Sequence, residues 1–503
     1  MKVLLDTNVI IHREAYKASH LAIGQLFKWI DILKYTKCIH PITEKEMRSH
    51  ANADTVRSMD LKLESYQVLK TTAPIHPRIQ NIIDNEDKNQ NDINDSLLLN
   101  ELIQDRVDAF ITEDKKIKAK AHALGISDKL FSISHFVEKT VAEHPDLIKY
   151  RVLSVEKVNF GNINIGDSFF DSFRNDYVGF DKWFNRKSDE IAYVCYYKNT
   201  LVGFLYIKIE DQNENYTDIS PILRSAKRLK IGTFRVAING YRVGERFLKI
   251  VFDNALINKV EEIYVTIFDR TTEQIRLIEL LEEWGFSYFG IKKTATGDEM
   301  VYTRPFRRSV DSQNPKLTFP FISGRANTFF VPIYPEYHTE LLPDSILNTE
   351  DAEKYKDNEP HRNALSKVYI SHSYERGLNP GDIILFYRTG GKYFGVATTI
   401  GIVEKVHTKI ASAEELLAIC KKKTFFTKEQ ILAFWNRYPS SRPFVVEFLY
   451  TYSLIKRLNL ARLVELGIVS DIMSVPRGFS MITMDQLLLI LKESKSNESI
   501  IIN

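Results

Sequence analysis

Cysteine is scarce in this chain: Cys38, Cys195 and Cys420 are the three it has, scattered over 503 residues. Three distant thiols make neither a disulfide framework nor a zinc site, so a reducing, cytoplasmic setting is expected. An excess of charge of one sign is also nearly missing, with 68 basic residues against 65 acidic ones and a net charge of +3. No general electrostatic field draws in nucleic acid, and any such affinity has to come from local basic patches. Long apolar runs are absent as well, and the first residues lack the charged and apolar regions of a secretory signal, so no membrane partner is expected. Repeats are absent, and the sole biased stretch is Asp/Asn-rich, residues 84–95, which reads as a loop. What remains is ordinary globular composition, 44% hydrophobic and 26% charged, in a chain long enough for about three domains.

The chain opens on Lys2-Val3-Leu4-Leu5-Asp6-Thr7-Asn8. A short apolar run closed by Asp-Thr-Asn predicts a buried parallel strand that delivers Asp6 where open α/β sheets place their ligands. Asp6 or Thr7 could equally cap the next helix. Other acids follow in comparable settings. Glu44 and Glu46 lie in the first turns of a helix after Pro41, with Thr43 as a cap. Asp92 and Asp95, three apart, share one face of a further helix. Asp108-Ala109-Phe110-Ile111-Thr112-Glu113-Asp114 repeats the opening device, a strand that ends in Thr and acids.

In order and setting these segments resemble the PIN-domain nucleases, over residues 1–145. Asp6 matches the family's first acid, Glu46 the second, Asp95 the third and Asp114 the fourth, with Glu44 and Asp92 close competitors for the second and third places. The resemblance implies a PIN-like parallel α/β sheet and a catalytic, metal-holding set of Asp6, Glu46, Asp95 and Asp114. Crowded carboxylates repel one another unless a hard divalent cation neutralises them, so Mg²⁺ or Mn²⁺ is the implied cofactor and RNA the implied substrate. Thr112 and Asn8 would support ligands or touch phosphate, or act as caps.

A second pattern begins after Glu143. Ile191–Tyr197 and Leu201–Ile209 read as a hairpin around Lys198-Asn199-Thr200, Lys230–Ala237 as a strand, Asn239-Gly240-Tyr241-Arg242-Val243-Gly244-Glu245 as the opening of an amphipathic helix, and Glu262–Phe268 as the next strand. Thr271–Trp284 reads as a helix capped by Gly285. The series resembles the GNAT acetyltransferases, over residues 146–305, and implies a GNAT-like mixed α/β sheet that binds acetyl-CoA through Asn239, Gly240, Arg242, Val243, Gly244 and Glu245. Gly244 matches the family's glycine turn. Asn239 stands where Arg or Gln is usual, Arg242 where Gly is usual, and Leu281 where a catalytic Tyr is common, with Tyr264 and Tyr288 as substitutes.

Residues 306–325 are rich in Pro, Ser and Arg and read as a solvated linker. The region 326–503 centres on Asn379-Pro380-Gly381-Asp382 before an apolar strand and resembles the PUA-like superfamily, with its ASCH and EVE domains. That resemblance implies a small β-barrel with helices that binds RNA, with Tyr387, Phe425, Trp435 and Tyr438 as stacking faces and Arg388, Lys421, Lys422, Lys423, Arg437 and Arg442 as phosphate contacts; Tyr387, Arg388, Lys422, Trp435 and Arg437 form the core of that set. Barrel packing explains the same aromatics. The tail from Lys492 reads as frayed or partner-docking.

The sequence therefore predicts a multidomain α/β protein. Its expected function is metal-dependent cleavage of transfer or structured RNA, with a toxin-like or defence role and an antitoxin or regulatory protein as partner. The alternative is an N-acetyltransferase of an RNA-linked or protein amine, in which the first domain is a binding scaffold.

Overall fold

The computed structural model describes residues 1–14, 21–48, 66–144, 155–238, 242–306, 309–345, 360–392 and 394–502. The chain divides into two compact units, Met1–Ile148 and Lys149–Asn503.

In the first unit β1 (Lys2–Leu5), β2 (Thr36–Ile39), β3 (Gln67–Val68), β4 (Ala109–Ile111) and β5 (Leu130–Phe131) form one sheet in the order β3-β2-β1-β4-β5. Every pairing is parallel. Parallel neighbours require crossovers, and the chain supplies helices between the strands. Val3, Leu4, Leu5, Phe110 and Ile111 are fully buried, as expected of strands covered on both faces. The helix Gln90–Ile103 is capped by Asn89, whose side chain accepts the Asp92 amide. The preceding helix already spans Pro77–Asn85, so most of the Asp/Asn-rich stretch is helical and the loop shrinks to residues 86–89.

The second unit begins with β6 (Val155–Asn159), β7 (Ile191–Tyr197), β8 (Thr200–Glu210), β9 (Ile219–Ser220), β10 (Arg228–Val236), β11 (Glu262–Ile267), β12 (Ser287–Thr294) and β13 (Gly297–Pro305). Their order is β6-β7-β8-β10-β11-β13-β12-β9. The hairpin between β7 and β8 turns on Lys198 (φ 48°) and Asn199 (φ 64°), the left-handed pair a two-residue turn needs. Within this sheet β10 and β11 alone pair in parallel, and the helix Val243–Ile257 forms their crossover. Phe247, Leu248, Val251, Phe252 and Ala255 recur at helical spacing and are fully buried, each large one contributing about 2 kcal/mol by leaving water.

The last region holds β14 (Ile322–Ser323), β15 (Thr328–Ile333), β16 (Ser366–Ser371), β17 (Ile383–Arg388), β18 (Val396–His407), β19 (Phe444–Asn459), β20 (Ser480–Ile482) and β21 (Ile501–Ile502). Six of these form a mixed sheet in the order β16-β19-β18-β17-β15-β20. Gly381 (φ +87°) makes the turn before β17.

Two further expectations fail. The described part of residues 306–325 is not solvated throughout: Phe306, Phe319, Phe321 and Ile322 are buried in a hydrophobic core continuous with both sheets. The preceding Arg304 is 1% exposed, lies over the Phe252 ring at 4.4 Å and donates to the Phe319 carbonyl at 2.7 Å. Burial pushes its guanidinium down to about 9. The tail is not frayed either, because β21 pairs in parallel with β14 and Ile500 is fully buried. Arg307 and Arg308 of that stretch lie outside the described residues.

Candidate functional site

In the first unit the strand ends gather acids. Asp6 leaves β1 with its amide bonded to the Ile111 carbonyl of β4, and its Oδ2 accepts the Thr112 hydroxyl at 2.6 Å. The same Thr112 oxygen accepts the Asp114 amide at 2.9 Å, so one hydroxyl links two acids. Asp114 caps the helix Lys115–Ala123 through the Lys116 and Ile117 amides. Glu46, on the helix Pro41–Arg48, accepts the Thr7 hydroxyl at 2.7 Å and the Asn94 amide group at 3.0 Å. It is therefore tied both to the end of β1 and to the helix that carries Asp95. Its competitor Glu44 pairs instead with Arg48 at 3.0 Å. Asp92 likewise pairs with Lys116 at 2.9 Å, and that hydrogen bond holds its carboxyl low. Asn8 is exposed.

Burial and neighbouring acids act together on two of these carboxyls. Burial pushes Asp95 up to about 7, with Asp114 the next cause and Asp6 a further one. Burial raises Asp6 too; the Thr112 hydrogen bond opposes it, and Asp114 and Glu46 add to it. Lys120, the cation nearest in effect, is committed to Asp87 at 2.6 Å. Among the described residues no three carboxylate or imidazole groups already stand at ion-holding spacing.

In the second unit a cavity of about 820 Å³ opens where two strands part. β10 and β11 pair over Arg228–Ile231 and Glu262–Val265, after which β10 runs on to Val236 bonded to β8 alone. A bulge in β10 between Ile231 and Thr233 marks the parting. Arg242, Val243 and Gly244 line the cavity. Arg242 is the N-cap of the Val243–Ile257 helix, in the left-handed region (φ 55°), and supplies no side-chain acceptor to the first-turn amides. A Cβ on Gly244 would stand 2.7 Å from Leu280 Cδ2, the flexible end of a side chain on the next helix, so a larger residue here would press on Leu280. That helix, Thr272–Glu283, carries a Thr271/Gln274 capping box.

Glu245 turns out of the cavity and accepts the Leu365 amide at 2.9 Å, while Arg242 pairs with Glu245 at 2.7 Å and reaches the Ser366 carbonyl. Arg246 makes two 2.7 Å bonds to Asp344. Asn239, Gly240 and Tyr241 lie outside the described residues. Leu281 is fully buried core. Of its expected substitutes, Tyr264 donates to Glu210 at 2.7 Å and Tyr288 is 55% exposed on β12.

Sequence reasoning missed the polar wall of this cavity: Tyr177, which donates to Glu299, and Lys230, Lys208 and Glu210. A lysine and a glutamate inside otherwise apolar strands were the available signal.

In the last region the expected RNA contacts separate. Tyr387 is 1% exposed, with its ring 5.2 Å from that of Phe330, and so is a core residue that offers no face to a base. Arg388 is 8% exposed and donates to the Phe394 carbonyl. Lys422 and Arg437 are exposed, and Trp435 is half-buried under the Arg442 guanidinium, 4.5 Å away. Phe425 packs on Phe426 and Tyr337, Lys423 pairs with Glu447, and Tyr438 is exposed beside Arg437.

No family model matches the chain, and no curated sequence does. Among solved structures it is similar to Arabidopsis thaliana Naa50 in complex with a bisubstrate analogue (17% identity, 31% of this chain and 100% of that one, TM-score 0.21). It is also similar to a GNAT-family acetyltransferase from Streptococcus agalactiae (9% identity, 32% and 99%, TM-score 0.24) and to one from Elizabethkingia anophelis with acetyl-CoA bound (14% identity, 31% and 99%, TM-score 0.23).

Proposed function

We propose that the second unit is an acetyl-CoA-dependent N-acetyltransferase. The observation that carries this reading is the parting of β10 from β11 over a cavity whose wall includes the uncapped first turn of a 15-residue helix. Amides without side-chain acceptors at a helix N-terminus suit a pyrophosphate, and the lone edge of β10 beyond Ile231 offers main-chain groups to an extended ligand. Val243, Gly244 and Glu245 would supply the amides and Arg242 a charge beside them. Bound acetyl-CoA supplies an activated acetyl group to an amine. With Leu281 in the core, one hydrogen-bonded tyrosine–carboxylate pair on the cavity wall is Tyr177 and Glu299: Glu299 is 3% exposed and takes the proton of the incoming amine, and Tyr177 bonds to it. Calorimetry with acetyl-CoA, followed by release of the CoA thiol with amine acceptors, tests the reading. Micromolar binding that Gly244→Val removes supports it; no heat at high micromolar acetyl-CoA overturns it.

A second reading is favoured by the mutual electrostatics of Asp6, Asp95 and Asp114. We infer that the first unit is a PIN-like nuclease acting on RNA. By donor chemistry, though not by present spacing, the set suits a hard divalent ion: its oxygens are hard, ionisation of Asp6 and Asp95 is opposed by burial and by neighbouring acids, and among the described residues no lysine or arginine is paired with Asp95. Asp6, Asp95 and Asp114 would hold Mg²⁺ or Mn²⁺, and Glu46 would orient Thr7 and Asn94 beside them. Such an ion supplies activated water and neutralises charge at phosphorus. The PUA-like region would add RNA contacts through Lys422, Trp435 and Arg437, consistent with action on transfer or structured RNA in growth control or defence, under an antitoxin or regulatory protein. Mn²⁺-dependent cleavage of labelled RNA, lost in Asp6→Asn and in Asp95→Asn, is expected; cleavage that survives both overturns the reading.

A further inference from the structure

The cavity of the second unit carries a cation that the acetyl-transfer reading does not use. Lys230 lies on β10 in direct cross-strand register with Lys208 of β8, and both line the cavity. Like charges placed opposite one another across an antiparallel pair are destabilising, and burial of the amine adds to that. The surrounding acids are already engaged. Glu210 accepts the hydroxyls of Tyr264 at 2.7 Å and Tyr216 at 3.1 Å and stands 3.3 Å from Lys208. Glu214 also pairs with Lys208, at 3.3 Å, and Glu299 accepts Tyr177. Lys292, a third lysine on the wall, pairs with Asp218 at 3.2 Å. Lys230 has no carboxylate within ion-pair distance among the described residues, and its ammonium sits 5.6 Å from the centre of the Tyr264 ring. Burial lowers its basicity, with Lys292 and Lys208 as further causes and Glu210 and Glu299 acting against them.

We propose that Lys230 is the anchor for an anionic group on the acceptor, so that the amine acetylated here belongs to a molecule that also carries a carboxylate or a phosphate. The inference rests on the acetyl-transfer reading. An anion at Lys230 relieves the repulsion among Lys208, Lys230 and Lys292, and it gains a charge-assisted bond inside a cavity from which water is partly excluded. The acetyl carbon is attacked by the acceptor nitrogen, the carbon–sulfur bond breaks, the amine proton passes to Glu299 and the sulfur leaves as thiolate, to be protonated from solvent or from Tyr177. Lys230 holds the far end of the acceptor and takes no proton in this sequence. It is a specificity residue.

The test uses the full chain and pairs of amines that differ in the anionic group. Alanine against alaninamide probes a carboxylate, and phosphoethanolamine against ethanolamine probes a phosphate. The anionic member of at least one pair is expected to have a KM about tenfold or more below its neutral twin, the size of one charge-assisted bond. Lys230→Met should raise that KM by a similar factor while leaving kcat, the neutral twin and the calorimetric Kd for acetyl-CoA within about twofold. Lys230→Arg should restore part of the loss. Calorimetric binding of the anionic member in the presence of CoA, lost in Lys230→Met, gives a readout independent of turnover. Acetyl-CoA binding with no anionic preference in either pair, or with no turnover of any of the four amines, overturns this inference alone. Absence of acetyl-CoA binding overturns the reading beneath it.

Discussion

The two candidate sites are built by opposite means. In the first unit, side chains from four distant segments converge at the ends of parallel strands, and like charge is what they share. In the second, two parallel strands separate, and the space between them is framed by backbone: a bulge in β10 and a left-handed Arg242 at the head of the crossover helix. Side-chain convergence leaves a legible trace in a sequence, because chemistry needs particular residue types. A gap between strands leaves little trace, since many sequences can make one.

The contrast can be broken by substitutions that separate the sites. The largest effect is expected from Asp95→Asn, which should lower Mn²⁺-dependent RNA cleavage by a hundredfold or more while leaving the Kd for acetyl-CoA within about twofold; Gly244→Val should do the reverse. Should either variant disable both activities, the two sites are not independent. Next in size is Arg246→Ala. It strands the largely buried Asp344 carboxylate and should cost the second unit about 3 kcal/mol in chemical denaturation, with no change in the first unit's transition.

A pH effect of on the order of 2 kcal/mol sharpens the electrostatic half of the comparison. The folded-state Asp95 carboxyl sits at about 7 against an ordinary 3.8. The folded protein therefore holds a proton that the unfolded chain has released, and stability present below about pH 4 is lost as pH rises through about 7. Melting of the first unit in chelator should show that decline; Asp95→Asn should flatten it, and Mg²⁺ should raise the melting temperature more at pH 8 than at pH 5. A chelator-insensitive, flat profile would remove the case for crowded carboxylates. The smallest effect is expected from Thr112→Val. It deletes the hydroxyl between Asp6 and Asp114 and should cost about 1 kcal/mol, measured by the same melts, with a moderate drop in cleavage.

Much of the architecture was legible where local patterns are unambiguous. The β7–β8 hairpin, the β10–helix–β11 crossover and the strand ending in Asp6 follow from periodicity and turn residues. The choice between Glu44 and Glu46 was not legible, because both lie in one helical turn and only the partners, Arg48 for one and Thr7 for the other, separate them. Tyr387 was misplaced for a different reason. β17 is buried along its whole length, so its tyrosine obeys the core, and propensity alone cannot distinguish a packed ring from a stacking one. The stretch around Arg304–Phe321 misled by composition: its Pro, Ser and Arg content reads as solvated, yet the aromatic residues among them are what the surrounding core takes up.

The Val243–Ile257 helix is clasped from outside its own sheet, through Glu245 to the amide of Leu365, Arg242 to the carbonyl of Ser366 and Arg246 to Asp344. A fragment trimmed to residues 146–305, the span a resemblance would suggest for expression, removes all three partners at once. Such an excised piece should fold poorly and, on the acetyl-transfer reading, hold acetyl-CoA weakly, and its inactivity would say nothing about the intact chain.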